Sequence, residues 1–193
     1  MVNKNIEDCC KEMQAWIERL GNLNEYDEKN LIAFFSRNNI WVDNVRTLGD
    51  CFWNGAEAYV YKSFDEKDVF KLKRGRTVNT GIVNLLKETL YHNEVFPDTY
   101  YSLIGFSSYG EDMFGTTIFG AILRQEFFKG EFATNEQIST HLKKDGFTII
   151  QQGAEDHLLC LKNGFQVSDV KTQNAIIANG KVHIIDCCIS KYN

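Results

Sequence analysis

Apolar residues recur at helical spacing near the start of the chain. Two such sets occur before Trp41, and intervals of three or four residues are typical of amphipathic helices. The first set is Met13, Trp16, Ile17 and Leu20, and the second is Leu31, Ile32, Phe34 and Phe35. We therefore predict that residues 1–45 form a helical N-terminal extension that packs on the domain of residues 46–193. The alternative is that these helices bind a partner.

After Trp41, short apolar runs of alternating pattern replace the helical spacing. AEAYVYKSFDEKDVFKLKRG predicts two strands around a polar turn, and YYSLIGFSSYG and FGTTIFGAILRQEFF predict two more. TGIVNLLKETLYHNEVF predicts a helix, with Thr80 as its cap and Pro97 limiting its end. Residues 135–146 predict another helix that begins with Asn135 as its cap. This order indicates an α+β domain with an antiparallel sheet.

A hairpin near the C-terminus is the clearest local pattern. Asn179-Gly180 separates AIIA from KVHIID, and Asn-Gly is the preferred dipeptide of two-residue type I′ turns. The turn brings the segment of Asn174 next to that of Asp186. Strict alternation would direct these two side chains to opposite faces, so we expect Asn174 to lie in the loop before the strand.

Composition and charge narrow the class of protein. Of the 193 residues, 44% are hydrophobic and 24% are charged, as in ordinary globular proteins. A net charge of −5 gives a nucleic acid or an anionic membrane no overall attraction. The N-terminus lacks a signal-peptide pattern, and no apolar run approaches the ~18 residues of a membrane span. We therefore expect a cytoplasmic protein that binds neither nucleic acid nor membrane.

The six cysteines, at positions 9, 10, 51, 160, 187 and 188, show no CxxC spacing. The ligands of structural zinc sites are normally spaced so that the chain wraps around the metal. We therefore expect no zinc site and reduced cysteines, with Cys187 and Cys188 as small buried apolar residues.

Three polar residues surround the C-terminal hairpin. Asn174 follows Asp169 by five positions, and the hairpin ends on Asp186. Phosphoryl transfer uses such a set, because it needs Mg²⁺ held against the phosphates and a carboxylate that orients the attacking hydroxyl. A carboxylate at the end of an apolar strand is costly to bury without a cation, which favours Asp186 most. The alternative is that Asp169 and Asn174 only stabilise turns.

At these residues the chain resembles protein kinases. VSDVKTQN, residues 167–174, resembles the catalytic loop H-R-D-x-x-x-x-N, with Val and Ser in place of His and Arg. Ile184-Ile185-Asp186 resembles the DFG strand, with two cysteines in place of Phe-Gly. GAEAYVY resembles a reduced nucleotide-covering loop, and VFK the strand of the phosphate-binding lysine. From about residue 48 to residue 190, the chain is similar to the small kinase family found in polyvalent proteins of phages and mobile elements.

The resemblance implies a minimal kinase-like fold, in which an antiparallel N-lobe sheet with one helix precedes a much reduced C-lobe. It implies ATP and Mg²⁺ as cofactors. It implies that Lys71 contacts the α- and β-phosphates and that Asp169 acts as the catalytic base. It also implies that Lys171 lies beside the transferred phosphoryl group and that Asn174 and Asp186 bind Mg²⁺. The implied nucleotide-binding residues are Gly55, Ala56 and Glu57 over the phosphates, and Gln125 to Phe128, including Glu126, at the adenine.

Several assignments keep alternatives. Lys73 competes with Lys71, and Glu94 with Glu88 as the helix acid that pairs with the lysine. His92 and Asn93 are expected to be structural, Lys73-Arg74-Gly75-Arg76 a solvated turn, and Phe127, Phe128 and Phe132 core residues. The functional alternatives are a pseudokinase, a non-enzymatic regulator of a mobile element, and a small-molecule phosphotransferase. Seven residues follow Asp186, so a protein substrate would need another docking surface or a second chain.

Overall fold

The computed structural model describes residues 6–21, 28–55, 58–74, 81–111, 117–152 and 157–192. The chain divides into two compact units. The first comprises Met1–Leu90 and Tyr101–Phe127, and the second comprises Tyr91–Tyr100 and Phe128–Asn193. Both contain helical residues and antiparallel strands, so the protein belongs to the α+β class. Among the described helices, none is both long and apolar enough to cross a membrane.

Two N-terminal helices and a five-stranded antiparallel sheet form most of the first unit. The helices are α1 (Ile6–Gly21) and α2 (Glu28–Arg37). The strands are β1 (Gly49–Asn54), β2 (Ala58–Ser63), β3 (Asp68–Arg74), β4 (Ser102–Glu111) and β5 (Thr117–Glu126). They pair in the order β1-β2-β3-β5-β4. The N-terminal helices and four of the strands confirm the prediction, whereas β1 was not predicted.

The apolar faces of α1 and α2 pack on this sheet. The ring of Trp16 lies 5.7 Å from that of Phe106 in β4, and Phe35 of α2 stacks on the same ring at 4.2 Å. Met13 and Phe35 are fully buried in this core. Because burying one large apolar side chain contributes about 1.5–3 kcal/mol, these helices stabilise the unit that contains the sheet.

α3 (Gly81–Val95) is the helix predicted before Pro97. Its predicted cap, Thr80, lies outside the described residues. Pro97 begins a single 3-10 turn, Pro97–Thr99, as expected for a residue that cannot continue an α-helix. The helix begins in the first unit and ends in the second.

The cap of α4 (Asn135–Lys144) corrects one prediction. Its N-cap is Thr134, not Asn135. Thr134 Oγ1 accepts from the N–H of Gln137, and Gln137 Oε1 accepts from the N–H of Thr134. This reciprocal capping box gives both backbone N–H groups, those of Thr134 and Gln137, a hydrogen-bond acceptor. A cap at Asn135 would not provide both of these hydrogen bonds.

Two antiparallel sheets accompany α4 in the second unit. The first contains β6 (Glu131–Phe132), β10 (Ala175–Ala178) and β11 (Lys181–Ile184), in the order β11-β10-β6. The second contains β7 (Thr148–Gln152), β8 (Leu158–Lys162), β9 (Phe165–Val170) and β12 (Cys188–Lys191), in the order β12-β9-β8-β7. Of these strands, only the β10–β11 hairpin is predicted by the sequence pattern.

The predicted hairpin has the predicted turn. Asn179 and Gly180 have φ values of 51° and 75°, and a type I′ turn needs positive φ at both central residues. Ala178 pairs with Lys181 across the turn. Asn174 ends a 3-10 helix, Thr172–Asn174, directly before β10, which confirms its predicted place in the loop.

The aromatic group after β5 is not a core cluster. Phe132 is 64% exposed, so its assignment to the core is wrong. Phe127 and Phe128 are half-buried, and Phe128 stacks on His183 with 4.2 Å between ring centroids. The position of Phe132 on the short strand β6 explains its exposure.

Candidate active site

The second unit brings Asp169, Lys171 and Asn174 into one hydrogen-bonded cluster. Lys171 Nζ lies 2.8 Å from Asp169 Oδ1. Asn174 Nδ2 donates to Asp169 Oδ2 at 3.1 Å and to the Asp169 carbonyl oxygen at 2.8 Å. The side chains of Asp169 and Lys171 are 35% and 27% exposed, so a solvent-borne group can still reach them. The structure therefore brings together Asp169 and the residues two and five positions after it.

His157 also belongs to this cluster, and the sequence analysis missed it. His157 Nδ1 lies 3.0 Å from Asp169 Oδ1, and its side chain is 35% exposed. A second Asn-Gly turn places it there, because Asn163 and Gly164 have φ values of 50° and 80° and join β8 to β9. Leu158 pairs with Val170 across this hairpin. Asn-Gly between two apolar runs was the available signal.

The loop that carries Asp186 is held next to this cluster. The N–H of Ile185 donates to the Asn174 carbonyl oxygen at 2.9 Å. Two residues beyond Asp186, Cys188 begins β12 and pairs with Ser168 of β9. The residues after Asp186 thus form a strand along β9, which bears Asp169. Asp186 Oδ1 itself accepts from the N–H of Cys187 at 3.1 Å, and its side chain is half-buried.

Buried polar residues of the second unit fix the start of the same loop. Thr99 Oγ1 donates to the Ile184 carbonyl oxygen at 2.7 Å. His92 Nε2 lies 3.1 Å from Thr99 Oγ1, and His92 Nδ1 lies 3.5 Å from Cys187 Sγ. His92 and Asn93 are buried, as expected for structural residues. Cys187 is half-buried rather than buried, as is Cys188.

Lys71 lies on β3 in the first unit and is 5% exposed. Its Nζ donates to Tyr101 Oη at 2.8 Å and lies 5.1 Å from the centroid of the Tyr101 ring. Lys73 is half-buried, with its Nζ 5.8 Å from the same centroid. Its deeper burial distinguishes Lys71 from Lys73.

The predicted helix acids are not in contact with Lys71. Glu88 and Glu94 are both exposed on α3, and neither forms an ion pair with any residue of the described chain. The cluster of apolar residues on the opposite side of α3 faces the core and turns Glu88 to the surface. Tyr101 contacts the lysine instead, and this contact was not predicted from the sequence.

The remaining predicted nucleotide-binding residues lie at strand ends. Gly55 follows β1, and its N–H donates to the Ala58 carbonyl oxygen at 3.0 Å. Ala56 and Glu57 lie outside the described residues. Glu126 is exposed at the end of β5, and the N–H of Phe127 donates to the Lys67 carbonyl oxygen at 2.8 Å. Lys73 and Arg74 were predicted to lie in a solvated turn but are the last two residues of β3, where Lys73 is half-buried and Arg74 is exposed. Gly75 and Arg76 of that predicted turn lie outside the described residues.

Among the described residues of the second unit, Asp98, His141 and Cys160 have shifted pKa values, and burial lowers the pKa of the His141 imidazole. Burial is the largest effect on Asp98 and raises the pKa of its carboxyl, but the hydrogen bond and charge of Lys181 and the charge of His183 together lower it below its ordinary value of 3.8. Burial raises the pKa of the Cys160 thiol to about 11. Since the thiolate is the reactive form, Cys160 is an inert core residue.

Comparison with known protein families identifies the family of this chain. Residues 24–191 match the family described as the serine/threonine/tyrosine kinase found in polyvalent proteins. No curated protein and no solved structure matches the chain significantly. The match covers most of the 193 residues and includes Lys71, the Asp169 cluster and Asp186. The chain therefore belongs to this family of kinases from polyvalent proteins.

Proposed function

We propose that this protein binds ATP with Mg²⁺ and transfers the γ-phosphoryl group to a serine, threonine or tyrosine hydroxyl. One observation carries the proposal: the Asp169 carboxylate contacts both Lys171 and Asn174. Phosphoryl transfer needs little covalent chemistry from the protein, but it needs an oriented acceptor and positive charge near the transferred group. In this proposal the first unit corresponds to a kinase N-lobe and the second to a reduced C-lobe.

Asp169 Oδ2 is the atom that would receive the acceptor hydroxyl. Oδ1 already faces both Lys171 and His157, whereas Oδ2 accepts one hydrogen bond from the described residues, that of Asn174. A carboxylate oxygen accepts about two hydrogen bonds, so Oδ2 keeps acceptor capacity. As the acceptor oxygen bonds to the γ-phosphorus, the bond from phosphorus to the oxygen of the leaving ADP breaks and the hydroxyl proton passes to Asp169.

The donors of the second unit fit Mg²⁺. Asn174 uses its amide NH₂ toward Asp169, so its Oδ1 remains as a hard ligand. Asp186 adds a half-buried carboxylate, whose hard oxygen atoms are of the type that Mg²⁺ binds. When bound, Mg²⁺ supplies positive charge against the phosphates. Lys71 would contact the α- and β-phosphates, and Lys171 would lie beside the transferred group.

Thermal unfolding with ATP and Mg²⁺ tests this site. A ligand at about 100 times its dissociation constant stabilises the folded state by ~2.7 kcal/mol. We expect such a Mg²⁺-dependent stabilisation in the wild type and its loss in Asp186→Ala. Asp145→Ala, which removes an exposed carboxylate of the same unit, is the matched control and keeps the stabilisation. If millimolar ATP and Mg²⁺ leave the wild-type midpoint unchanged, the proposed site is wrong.

A nucleotide-binding pseudokinase is the second candidate, and one observation favours it. Val167 and Ser168 occupy the positions of the catalytic-loop His and Arg, and both are paired residues of β9, opposite Ile189 and Cys188 of β12. Val167 is fully buried in this unit. An ATP-dependent stabilisation without any phosphoryl transfer would select this candidate.

A further inference from the structure

We propose that Tyr101 positions Lys71 for the phosphates of ATP, in place of a helix glutamate. The inference rests on the proposed function, because it concerns the lysine assigned there to the phosphates. Tyr101 is a positioning residue in this account: it acts on the nucleotide through Lys71.

The contact between Tyr101 and Lys71 is direct and buried. Lys71 Nζ donates to Tyr101 Oη at 2.8 Å, and both residues are at most 5% exposed. The same ammonium lies 5.1 Å from the ring centroid, within the range of a cation–π interaction. A buried ammonium is costly without hydrogen-bond partners, and low local dielectric strengthens the bonds that it makes. Tyr101 therefore restricts where the Lys71 ammonium lies.

The sheet holds the two residues in register. Lys71 of β3 pairs with Leu123 of β5, and Leu123 pairs in turn with Leu103 of β4. Tyr101 precedes Leu103 by two residues, which places the two side chains on the same face of an extended segment. Leu103 and Leu123 are buried. The phenol is therefore carried by a packed sheet, whereas Glu88 is carried by the exposed side of a helix.

A phenol also differs from a carboxylate in what it does to the lysine. The phenolic oxygen accepts a hydrogen bond and the ring attracts the cation, but neither brings a full negative charge. The Tyr101 contact thus orients the Lys71 ammonium without adding a negative charge of its own.

Nucleotide affinity in four proteins tests the inference. The full-length wild type, Tyr101→Phe, Lys71→Met and the double variant are titrated with ATP and Mg²⁺, and the dissociation constant is taken from the unfolding midpoint. Loss of one hydrogen bond to a charged group predicts an affinity about tenfold lower in Tyr101→Phe. In the Lys71→Met background, Tyr101→Phe has no further effect. Tyr91→Phe removes the hydroxyl of a half-buried tyrosine that packs on Phe165 in the second unit, and as the control it keeps the wild-type affinity.

A measurement without nucleotide separates the contact from the binding. In urea unfolding of the same four proteins, the effects of Lys71→Met and Tyr101→Phe are expected to be non-additive, because the residues touch. Additive effects would overturn the contact on which the inference rests.

Three other outcomes also test whether Tyr101 positions Lys71. If the wild type binds ATP and Tyr101→Phe binds equally well, the inference fails while the proposed function stands. If Glu88→Gln lowers the affinity and Tyr101→Phe does not, the helix acid holds the lysine instead. If the wild type binds no ATP, the proposed function is wrong, and this inference, which rests on it, is wrong too.

Discussion

Asp169 adopts a left-handed backbone conformation, with a φ of 57°, near the end of β9. For most side chains this conformation costs about 1–2 kcal/mol, but Asp and Asn tolerate it because they hydrogen-bond locally. Here the Asn174 amide donates to the Asp169 carbonyl oxygen at 2.8 Å and stabilises the turn. Asp169→Asn therefore removes the charge and keeps the backbone preference, whereas Asp169→Ala changes both.

His157→Asn is expected to lower kcat about tenfold and to leave the affinity for ATP unchanged. His157 contacts the Asp169 carboxylate at 3.0 Å, so its loss misplaces the group that orients the acceptor. Steady-state kinetics with separate values of kcat and of KM for ATP measure the effect.

His141→Asn is the control for this prediction, because His141 Nε2 also faces a carboxylate of the second unit, Asp145, at 3.6 Å. It is expected to leave both kinetic parameters at their wild-type values. A kcat unchanged by His157→Asn would show that the histidine does not support Asp169.

The residue contacts that the sequence predicted are the local ones. Asp169, Lys171 and Asn174 lie within six positions, and their spacing alone places them in one turn. Tyr101 lies 30 positions from Lys71, and their contact depends on the register of three strands. His157 depends on a second hairpin and on the irregular register between Leu158 and Cys160. No fixed sequence spacing predicts such contacts, although Asn163-Gly164 indicates the hairpin that places His157.

At the scale of elements, the β10–β11 hairpin is anchored by one carboxylate. Asp98 Oδ2, in the 3-10 turn after α3, lies 3.0 Å from both Lys181 Nζ and His183 Nδ1. The Asp98 side chain is 34% exposed, so solvent screens the pair in part. Because Lys181 and His183 both lie in β11, Asp98 holds the strand that leads to Asp186 against the rest of the second unit.

Asp98→Asn is expected to lower the free energy of unfolding by about 0.5–1 kcal/mol at neutral pH, as for partly screened ion pairs. The pKa of Asp98 lies below 3.8 in the folded protein, so its stabilisation is complete above that pH and is lost as the pH falls through the lower folded value. Urea unfolding from neutral to acidic pH measures the difference.

Asp145→Asn serves as the control for the anchor, since Asp145 faces only His141 at 3.6 Å among the ion pairs of the described chain. It should change stability by less than about 0.5 kcal/mol. A difference between wild type and Asp98→Asn that stays constant into acid would mean that the carboxylate charge is not the cause.

Elements with a strong local pattern were predicted, and those defined by pairing were not. The helices and the Asn179-Gly180 hairpin follow from period and turn chemistry. β12 has four residues and exists through its pairing with β9. Thr134 was passed over as a cap because Asn135 is also a good capping residue, and only the bond to Gln137 distinguishes them.

At the scale of the whole molecule, the order of the predicted site residues identified the family before any coordinates did. The chain has, in the order found in kinases, a strand lysine, a helix, an Asp-x4-Asn segment and a further Asp. The family match over residues 24–191 confirms the predicted family. The four-stranded sheet that supports Asp169 was not foreseen, because its strands are short and lack clean alternation. Order along the chain therefore predicted the family better than the architecture.

Phosphoryl transfer from γ-labelled ATP by the full chain tests the central claim most directly. The acceptors are peptides with serine, threonine or tyrosine and the protein itself, with Mg²⁺ present. We expect label on an acceptor with the wild type, and a rate about 10³-fold lower with Asp169→Asn, which still gains stability from ATP. Equal transfer by wild type and Asp169→Asn would contradict the assigned chemistry, and no transfer by a wild type that binds ATP would mean that the protein is a pseudokinase.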